Sequence, residues 1–442
     1  MPHVKFHYPT PDALRQELDG LGLQLPLSED TSILSRPVSF AGRTLPNRLA
    51  IQPMEGCDGT AEGAPDTLTL RRYDRFARSG AALIWAEATA VAEEGRANPR
   101  QLFLTEKTLP AFQRMVEDIR ETCQKENGFN PLIILQATHS GRYSKPHGVP
   151  EPVIAYNSPV FEKDSPIPKD RIVSDDRLRR LEEEYGQTAA LAVRAGFDGV
   201  DVKACHRYLC CELLSAYTRE GDYGGSFENR TRLLRNGVKA ARAAVPSSFI
   251  VTTRLNVYDG FPYPYGFGMA EDGSLTPDLR EPLALVEILH RQLGMPLIDI
   301  TIGNPYVNPH VNRPYDEGGY LPEEHPLEGV CRMADCVGTI QRAYPDLTVI
   351  SSGVSYLRQY AGMLAAGEIE TGVCQIAGFG REAFAYPSFA RDLLRGEGMD
   401  PKKCCIACGK CTELMRAGSK AGCVVRDSET YLPLYRQDVL KK

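Results

Sequence analysis

Four cysteines near the end of the chain are spaced like the ligands of a metal centre. Cys405, Cys408, Cys411 and Cys423 form the pattern C-x2-C-x2-C-x11-C. Three thiolates two residues apart can wrap one corner of an iron–sulfur cluster, and a distant fourth can close it. Four thiolates also suit zinc. The spacing therefore predicts a metal site and favours a cluster, with zinc as the alternative.

Two glycine turns are candidates for a phosphate site. Gly353 follows two serines, and Gly380 precedes Arg381 in the sequence GFGRE. Glycine lets backbone N–H groups approach phosphate oxygens, and arginine adds charge-assisted hydrogen bonds. A tight turn needs glycine without any ligand, so the pair alone leaves phosphate binding and a plain turn both open.

The elements that must position these residues follow a repeated pattern. Short β-branched runs alternate with longer amphipathic stretches, which is typical of βα units and a parallel sheet. The predicted strands are Leu49–Pro53, Ala82–Ala88, Leu132–Gln136, Gly199–Lys203, Phe249–Arg254, Leu297–Thr301, Leu347–Ser352 and Gly372–Ala377. A helix is predicted over Asp176–Gly196, with Ser174 as its cap. Eight such units predict a closed (β/α)8 TIM barrel, in which the two glycine turns follow the last two strands, the usual place for a phosphate.

The domain organisation follows from where the alternation of predicted strands and helices begins and ends. Residues 1–40 are predicted to form an amino-terminal cover, residues 41–400 the barrel, and residues 401–442 the cysteine-bearing tail. The stretch Gly260–Pro277 is rich in glycine and proline and predicts a long loop after the fifth strand. Barrel sites are built on such loops.

The composition of the chain argues against two classes of binding partner, nucleic acids and membranes. The chain has 51 basic and 57 acidic residues, with no basic stripe that would follow a phosphate backbone, so nucleic acid is not expected as a partner. No apolar run approaches the roughly 20 residues of a membrane span, and the start lacks the order of a secretory signal. A cytoplasmic protein without a membrane partner is therefore expected.

Several ordered motifs closely resemble the Old Yellow Enzyme family. They are NRLAIQPM (Asn47–Met54), EATAV (Glu87–Val91), HSGR (His139–Arg142), HRYL (His206–Leu209), DYGGSFENR (Asp222–Arg230) and GFGRE (Gly378–Glu382). The resemblance covers most of the chain, and a set of spaced motifs is more specific than any single one. The branch containing 2,4-dienoyl-CoA reductase and trimethylamine dehydrogenase carries a [4Fe-4S] cluster after its barrel with similar cysteine spacing. The resemblance therefore implies a cluster at the four cysteines.

The same resemblance implies a flavin site. It implies a barrel that holds FMN and passes a hydride from the flavin to the β-carbon of an activated alkene. Gln136 would hydrogen-bond the pyrimidine edge, Arg254 would stabilise negative charge in the reduced ring, and Arg381 would bind the phosphate. The full set of implied cofactor-binding residues is Pro53, Glu55, Ala88, Gln136, Arg254, Gly353, Gly380 and Arg381.

Three catalytic residues follow from matched positions. Tyr208 matches the proton donor of the family, and a phenol is a proton source at pH 7 without being ionised. His206 matches one of two residues that grip the substrate carbonyl, where donors stabilise the developing enolate. Lys203 stands at the first position of that pair, where most members carry His, and Glu55 stands where relatives carry Cys, Thr or His. We expect Lys203 and Glu55 to form an ion pair in the substrate pocket.

The predicted function is an FMN and [4Fe-4S] ene-reductase acting on a small α,β-unsaturated carbonyl or carboxylate compound. The alternatives are an amine-type dehydrogenase and a non-catalytic flavin and iron–sulfur protein that transfers electrons or senses redox state. We find no Gly-rich strand–turn–helix unit after the cysteines, so either NAD(P)H reduces the flavin directly or a ferredoxin or flavoprotein donates electrons. A homo-oligomer is compatible with the sequence.

Overall fold

The computed structural model describes residues 5–316, 318 and 320–441 of the chain. The strands in this part are β1 (Val38–Phe40), β2 (Arg43–Leu45), β3 (Leu49–Ile51), β4 (Leu83–Ala90), β5 (Leu132–Thr138), β6 (Gly199–Val202), β7 (Ile250–Asn256), β8 (Leu297–Thr301), β9 (Thr348–Ser351) and β10 (Ile376–Phe379). Strands β3 to β10 form a closed parallel barrel in chain order, with β10 pairing back to β3. The predicted TIM barrel is confirmed.

Helices connect the strands and cover the barrel. They are α1 (Pro11–Gly20), α2 (Thr67–Ala77), α3 (Leu109–Asn127), α4 (Pro159–Glu162), α5 (Asp175–Arg194), α6 (Leu209–Leu214), α7 (Phe227–Arg230), α8 (Arg232–Ala243), α9 (Arg280–Glu287), α10 (Pro309–Asn312), α11 (Pro326–Ala343), α12 (Ala361–Glu370), α13 (Arg381–Ala385), α14 (Phe389–Leu394), α15 (Lys410–Arg416) and α16 (Ser428–Asp438). Helix α5 begins where its cap predicts, because Ser174 Oγ accepts a hydrogen bond from the backbone N–H of Arg177 at 3.2 Å. Among the described helices, none is long and apolar enough to cross a membrane.

The last barrel strand lies later in the chain than predicted. Residues 372–375 precede β10, and Gly372 has a φ of +73° in the turn after α12. The strand instead continues to Phe379, which lies opposite Ile51 of β3. Gly378 therefore sits inside the strand and not in a turn. A Cβ there would lie 2.1 Å from Gln52 Nε2, so this position requires glycine because of close packing.

The amino end of the barrel is closed by a hairpin. Strands β1 and β2 pair antiparallel, and Val38, Phe40 and Leu45 pack with Trp85 and Ile134 of the barrel strands in one buried cluster. This end is filled with apolar side chains, which leaves the carboxyl ends of the strands for a site. The predicted boundaries at residues 40 and 400 stay predictions, and residues 1–4 lie outside the described part.

The cysteine-bearing tail packs at the carboxyl ends of the barrel strands. Ala421 N–H donates to the Gly56 carbonyl at 2.7 Å, and Arg100 donates to the Gly418 carbonyl at 2.6 Å. Leu414 and Tyr431 belong to a small buried cluster within the tail itself. The tail therefore has its own apolar core and also covers the open end of the barrel.

Candidate active site

One cavity at the carboxyl ends of the barrel strands collects the predicted flavin and substrate residues. It is lined by Pro53, Glu55, Ala88, Gln136, Lys203, His206, Tyr208, Arg254, Gly353, Gly380 and Arg381. These residues lie at the ends of seven different strands or in the loops that follow them. Their convergence is the geometry by which barrels build active sites from separate βα loops. The role of each residue remains the prediction made from the sequence.

Behind the cavity wall, buried carboxylates orient two of these residues. Gln136 Nε2 donates to Asp201 Oδ2 at 2.7 Å, and Trp85 Nε1 donates to the same oxygen at 2.9 Å. Arg254 Nε lies 3.0 Å from Asp299 Oδ2. Burial raises the pKa of Asp201 to about 7 and that of Asp299 to about 6. This network fixes the directions in which Gln136 and Arg254 face the cavity.

The segment after β6 places His206 in the cavity. His206 and the following Arg207 both adopt left-handed backbone conformations, with φ of +63° and +60°. Arg207 is fully buried and donates to Tyr156 Oη and to the Tyr265 carbonyl, both at 2.9 Å, which holds the strained turn. Burial, with cationic Arg254 and Lys203 nearby, lowers the pKa of His206 well below its usual value. The imidazole is therefore neutral at pH 7.

The ring nitrogen of His206 is available to a ligand. Its Nε2 atom is buried and has no hydrogen-bond partner in the part of the chain that the structure describes. A buried polar nitrogen without a partner costs about 1–3 kcal/mol. A ligand oxygen in the cavity would remove this cost, since a neutral imidazole can donate through one nitrogen.

Tyr208 belongs to a group of three tyrosines. Its hydroxyl oxygen lies 2.7 Å from that of Tyr306, whose ring stacks on Tyr143 with 3.8 Å between ring centres. Burial, reinforced by Tyr306 and Glu55, raises the pKa of Tyr208 well above its usual value, so the phenol stays protonated at neutral pH. Lys203 Nζ lies 3.8 Å from the centre of the Tyr208 ring, which is a cation–π contact.

Sequence reasoning missed Tyr306. This residue also lines the cavity, in the loop that follows β8. A signal was available, because a polar aromatic residue three positions after Gly303 follows the end of the sixth predicted barrel strand. Strand-end loops of a barrel meet at one face, so every tyrosine in such a loop is a candidate.

The expected ion pair between Lys203 and Glu55 is not formed. Among the described residues, no ion-pair contact within 4.0 Å joins the two side chains. Glu55 Oε1 instead accepts from Asn98 Nδ2 at 3.0 Å, while Lys203 lies over Tyr208. Burial raises the pKa of Glu55, and the charge of Lys203 opposes that rise. The two groups therefore interact across the cavity and not through direct contact.

The two glycine turns come together, which the sequence alone left open. Gly353 has a φ of +91°, and a Cβ there would lie 3.0 Å from Met333 Cγ. Arg381 Nη1 is buried without a hydrogen-bond partner among the described residues, and both Gly380 and Arg381 border the cavity. A free guanidinium nitrogen beside two glycine turns fits a phosphate group.

The four predicted cysteines line a second, small cavity of about 20 Å³ next to the first. Cys411 and Arg381 border both cavities. Cys404 lies outside this lining, and its thiol donates to the Asp400 carbonyl at 3.2 Å. Within the described residues, no group of three or more Cys, His, Asp or Glu side chains is arranged for a single metal ion. Cysteine thiols, four of which belong to this lining, are the ligand type found in both zinc sites and iron–sulfur sites.

Similarity in sequence and fold places the chain among flavin oxidoreductases of the Old Yellow Enzyme type. The chain belongs to the NADH:flavin oxidoreductase / NADH oxidase family, whose model matches residues 34–274. It is similar to an NADH:flavin oxidoreductase of Gibberella zeae, with 26% identity over 365 residues, which cover 76% of this chain and 85% of that protein. It is also similar to 4,4'-dithiodibutanoate disulfide reductase of Rhodococcus erythropolis, with 24% identity over 430 residues, which cover 90% and 96% of the two chains.

Solved structures share the fold. A complex of 2-naphthoyl-CoA reductase with 2-naphthoyl-CoA superposes with a TM-score of 0.72 at 19% identity, over 89% of this chain and 57% of that one. The present chain thus spans little more than half of that protein. The Old Yellow Enzyme homologue of Zymomonas mobilis superposes with a TM-score of 0.62 at 21% identity, over 84% and 94% of the two chains.

Proposed function

We propose that the protein is an FMN-dependent ene-reductase for a small α,β-unsaturated carbonyl or carboxylate compound, with Tyr208 as the proton donor. One observation carries the proposal: a neutral His206 with a free Nε2, a protonated Tyr208 and the cation of Lys203 line a single cavity. Such a set can bind a carbonyl oxygen and protonate the adjacent carbon. Membership of a flavin oxidoreductase family supports the choice of cofactor.

The residues fit FMN. The buried polar atoms without a hydrogen-bond partner among the described residues include Gln52 Oε1, His206 Nε2 and Arg381 Nη1, and all three side chains border the cavity. A phosphorylated flavin offers a phosphate for Arg381 and polar ring atoms for Gln52 and Gln136. When bound and reduced by NAD(P)H or a protein donor, FMN supplies the hydride that reaches the β-carbon of the substrate.

The side chains of the protein perform the remaining steps. His206 donates a hydrogen bond to the substrate oxygen and polarises the double bond, and Lys203 stabilises the negative charge that develops there. Tyr208 transfers its phenolic proton to the α-carbon. Tyr306, 2.7 Å away, donates a hydrogen bond to the phenolate that remains. The C=C bond thereby gains one hydride and one proton.

We propose that Cys405, Cys408, Cys411 and Cys423 hold a [4Fe-4S] cluster. Their shared cavity lies beside the flavin cavity, with Cys411 bordering both. Such a cluster, when bound, can pass single electrons. Under this proposal a ferredoxin or a flavoprotein can donate electrons through the cluster, in addition to NAD(P)H.

A second candidate is the reduction of a small disulfide. Similarity to 4,4'-dithiodibutanoate disulfide reductase extends over nearly the whole of both chains, and Lys203 in the cavity offers a cation for a substrate carboxylate. The same cavity would then deliver reducing equivalents to a sulfur atom in place of a carbon atom.

A half-reaction experiment tests the proposal. Protein purified without oxygen is first assayed for flavin, iron and acid-labile sulfide, and is then reduced with dithionite. It is mixed separately with 2-cyclohexenone, cinnamate and 4,4'-dithiodibutanoate while the flavin absorbance at about 450 nm is followed. Rapid reoxidation by the enone or the enoate supports the ene-reductase, whereas reoxidation by the disulfide alone supports the second candidate. Protein without flavin would overturn both.

A further inference from the structure

A single buried carboxylate connects three walls of the flavin cavity. Asp299 lies on β8 and is fully buried. Its Oδ2 atom is 3.0 Å from Arg254 Nε, and its Oδ1 atom accepts from Gln52 Nε2 at 3.0 Å and from Ser352 Oγ at 3.3 Å. Gln52 follows β3, Ser352 follows β9 and Arg254 lies on β7, and each of the three side chains lines the cavity.

The position of Asp299 is set by the barrel itself. Asp299 lies directly opposite Arg254 in the register of β7 and β8. Its Oδ1 atom holds the hydrogen bonds from Gln52 and Ser352, so the carboxylate cannot turn its Oδ2 atom away from the guanidinium without losing those bonds. The contact between Asp299 and Arg254 is therefore built into the sheet and does not depend on a mobile loop.

The charge of Asp299 matters because basic side chains outnumber acidic ones around the cavity, where Glu55 is the one carboxyl among the described lining residues. Lys203, Arg313 and Arg381 border the cavity together with Arg254. Interactions between charges are much stronger at a buried site than in water. A carboxylate 3.0 Å from Arg254 Nε offsets part of the positive charge that Arg254 presents to the cavity. Reduction adds negative charge to the flavin, so an anion behind Arg254 opposes reduction.

We propose that Asp299 is a positioning residue that holds Arg254 against the flavin and lowers the reduction potential of the bound cofactor by its own charge. The inference rests on the proposed FMN site, and it adds a residue that makes no contact with the substrate in the proposed mechanism. A lower potential makes the reduced cofactor a stronger hydride donor and keeps its reduction dependent on a strong donor.

The test compares Asp299→Asn with the wild-type holoenzyme. The asparagine keeps the shape of the side chain and removes its charge. The two-electron equilibrium of the bound flavin is measured anaerobically against a reference dye. We expect the equilibrium to shift about tenfold towards the reduced form, which corresponds to a potential about 30 mV more positive. Ser352→Ala, which removes a hydrogen bond but keeps the charge, is expected to shift the equilibrium less than about twofold.

A shift smaller than about threefold in Asp299→Asn with FMN retained would overturn the proposal and leave Asp299 a structural residue. Breaking one partner of a buried ion pair can prevent folding. For that case, Arg254→Gln is compared with Arg254→Gln/Asp299→Asn, in which both partners are neutral. The proposal expects the double variant to be reduced more readily than the single one, and equal potentials would contradict it.

The two proposals fail in different ways. The flavin equilibrium needs no substrate, so an enzyme that reduces no alkene can still show the Asp299 effect. If the enzyme reduces alkenes but its flavin reduction potential is unchanged in Asp299→Asn, only the proposal about Asp299 is refuted.

Discussion

Replacing Tyr208 with phenylalanine removes one oxygen atom from the group of three tyrosines in the cavity. Tyr208 is 3% exposed, so bulk water has little access to the place where its hydroxyl stands. The nearest hydroxyl is that of Tyr306, 2.7 Å from the lost oxygen. The phenylalanine ring retains the packing and the contact with Lys203. The variant therefore lacks only the hydroxyl group, which is the proposed source of the proton.

The size of the effect follows from that geometry. A positioned general acid contributes about 10²- to 10⁴-fold, which at 1.36 kcal/mol per tenfold corresponds to about 2.7–5.5 kcal/mol in the barrier. Because Tyr306 is close enough to replace part of the proton supply, we expect Tyr208→Phe to slow flavin reoxidation by about 10²-fold. The double variant Tyr208→Phe/Tyr306→Phe is expected to approach a loss of about 10⁴-fold.

Stopped-flow absorbance separates the two half-reactions. Reduction of the flavin should remain within about threefold of wild type in Tyr208→Phe, since no proton from Tyr208 is needed there. Tyr143→Phe is the matched control, because the Tyr143 hydroxyl bonds to Asn304 and not to Tyr208. If Tyr208→Phe reoxidises with 2-cyclohexenone as fast as wild type, Tyr208 is not the proton donor and the mechanism is wrong.

Further predictions concern packing, the metal site and pH. Gly378→Ala places a Cβ 2.1 Å from Gln52 Nε2, so we expect a stability loss of about 1–3 kcal/mol in urea unfolding and weaker FMN retention. Cys411→Ser should remove most of the iron and acid-labile sulfide, whereas Cys404→Ser should leave both unchanged. Burial raises the pKa of Asp201 to about 7, so the folded protein binds this proton more tightly than the unfolded chain. The resulting stabilisation is present at low pH and is lost as pH rises through 7, which lowers the free energy of unfolding by about 2 kcal/mol between about pH 5.5 and 8.5.

Each of these three predictions can be contradicted by a specific result. Gly20→Ala, where a Cβ would meet nothing within 4 Å, controls for glycine replacement as such, and equal stability of the two variants would contradict the packing argument. Full iron content in Cys411→Ser would show that Cys411 is not a ligand. A higher urea midpoint at the alkaline end than at the acid end would contradict the sign assigned to Asp201.

The sequence by itself determined the barrel and most of its lining. Seven of the eight predicted barrel strands agree with the structure to within two residues at each end, because short β-branched runs buried on both faces are distinctive. Eleven predicted flavin and substrate residues border one cavity, because parallel strands of a closed barrel bring their carboxyl ends to one face. The eighth strand was misplaced because its chain passes through glycines that carry no periodic signal.

Only the tertiary structure decided which side chains touch. Tyr208 and Tyr306 are 98 positions apart and meet at 2.7 Å, and Asp299 reaches Gln52 across 247 positions. Lys203 lies over the Tyr208 ring and not against Glu55, although the sequence placed both charges in one pocket. Local patterns encode strands and helices through hydrogen bonding and burial. The contacts across the cavity depend instead on loop paths and on the register of distant strands, which no local pattern of residues specifies.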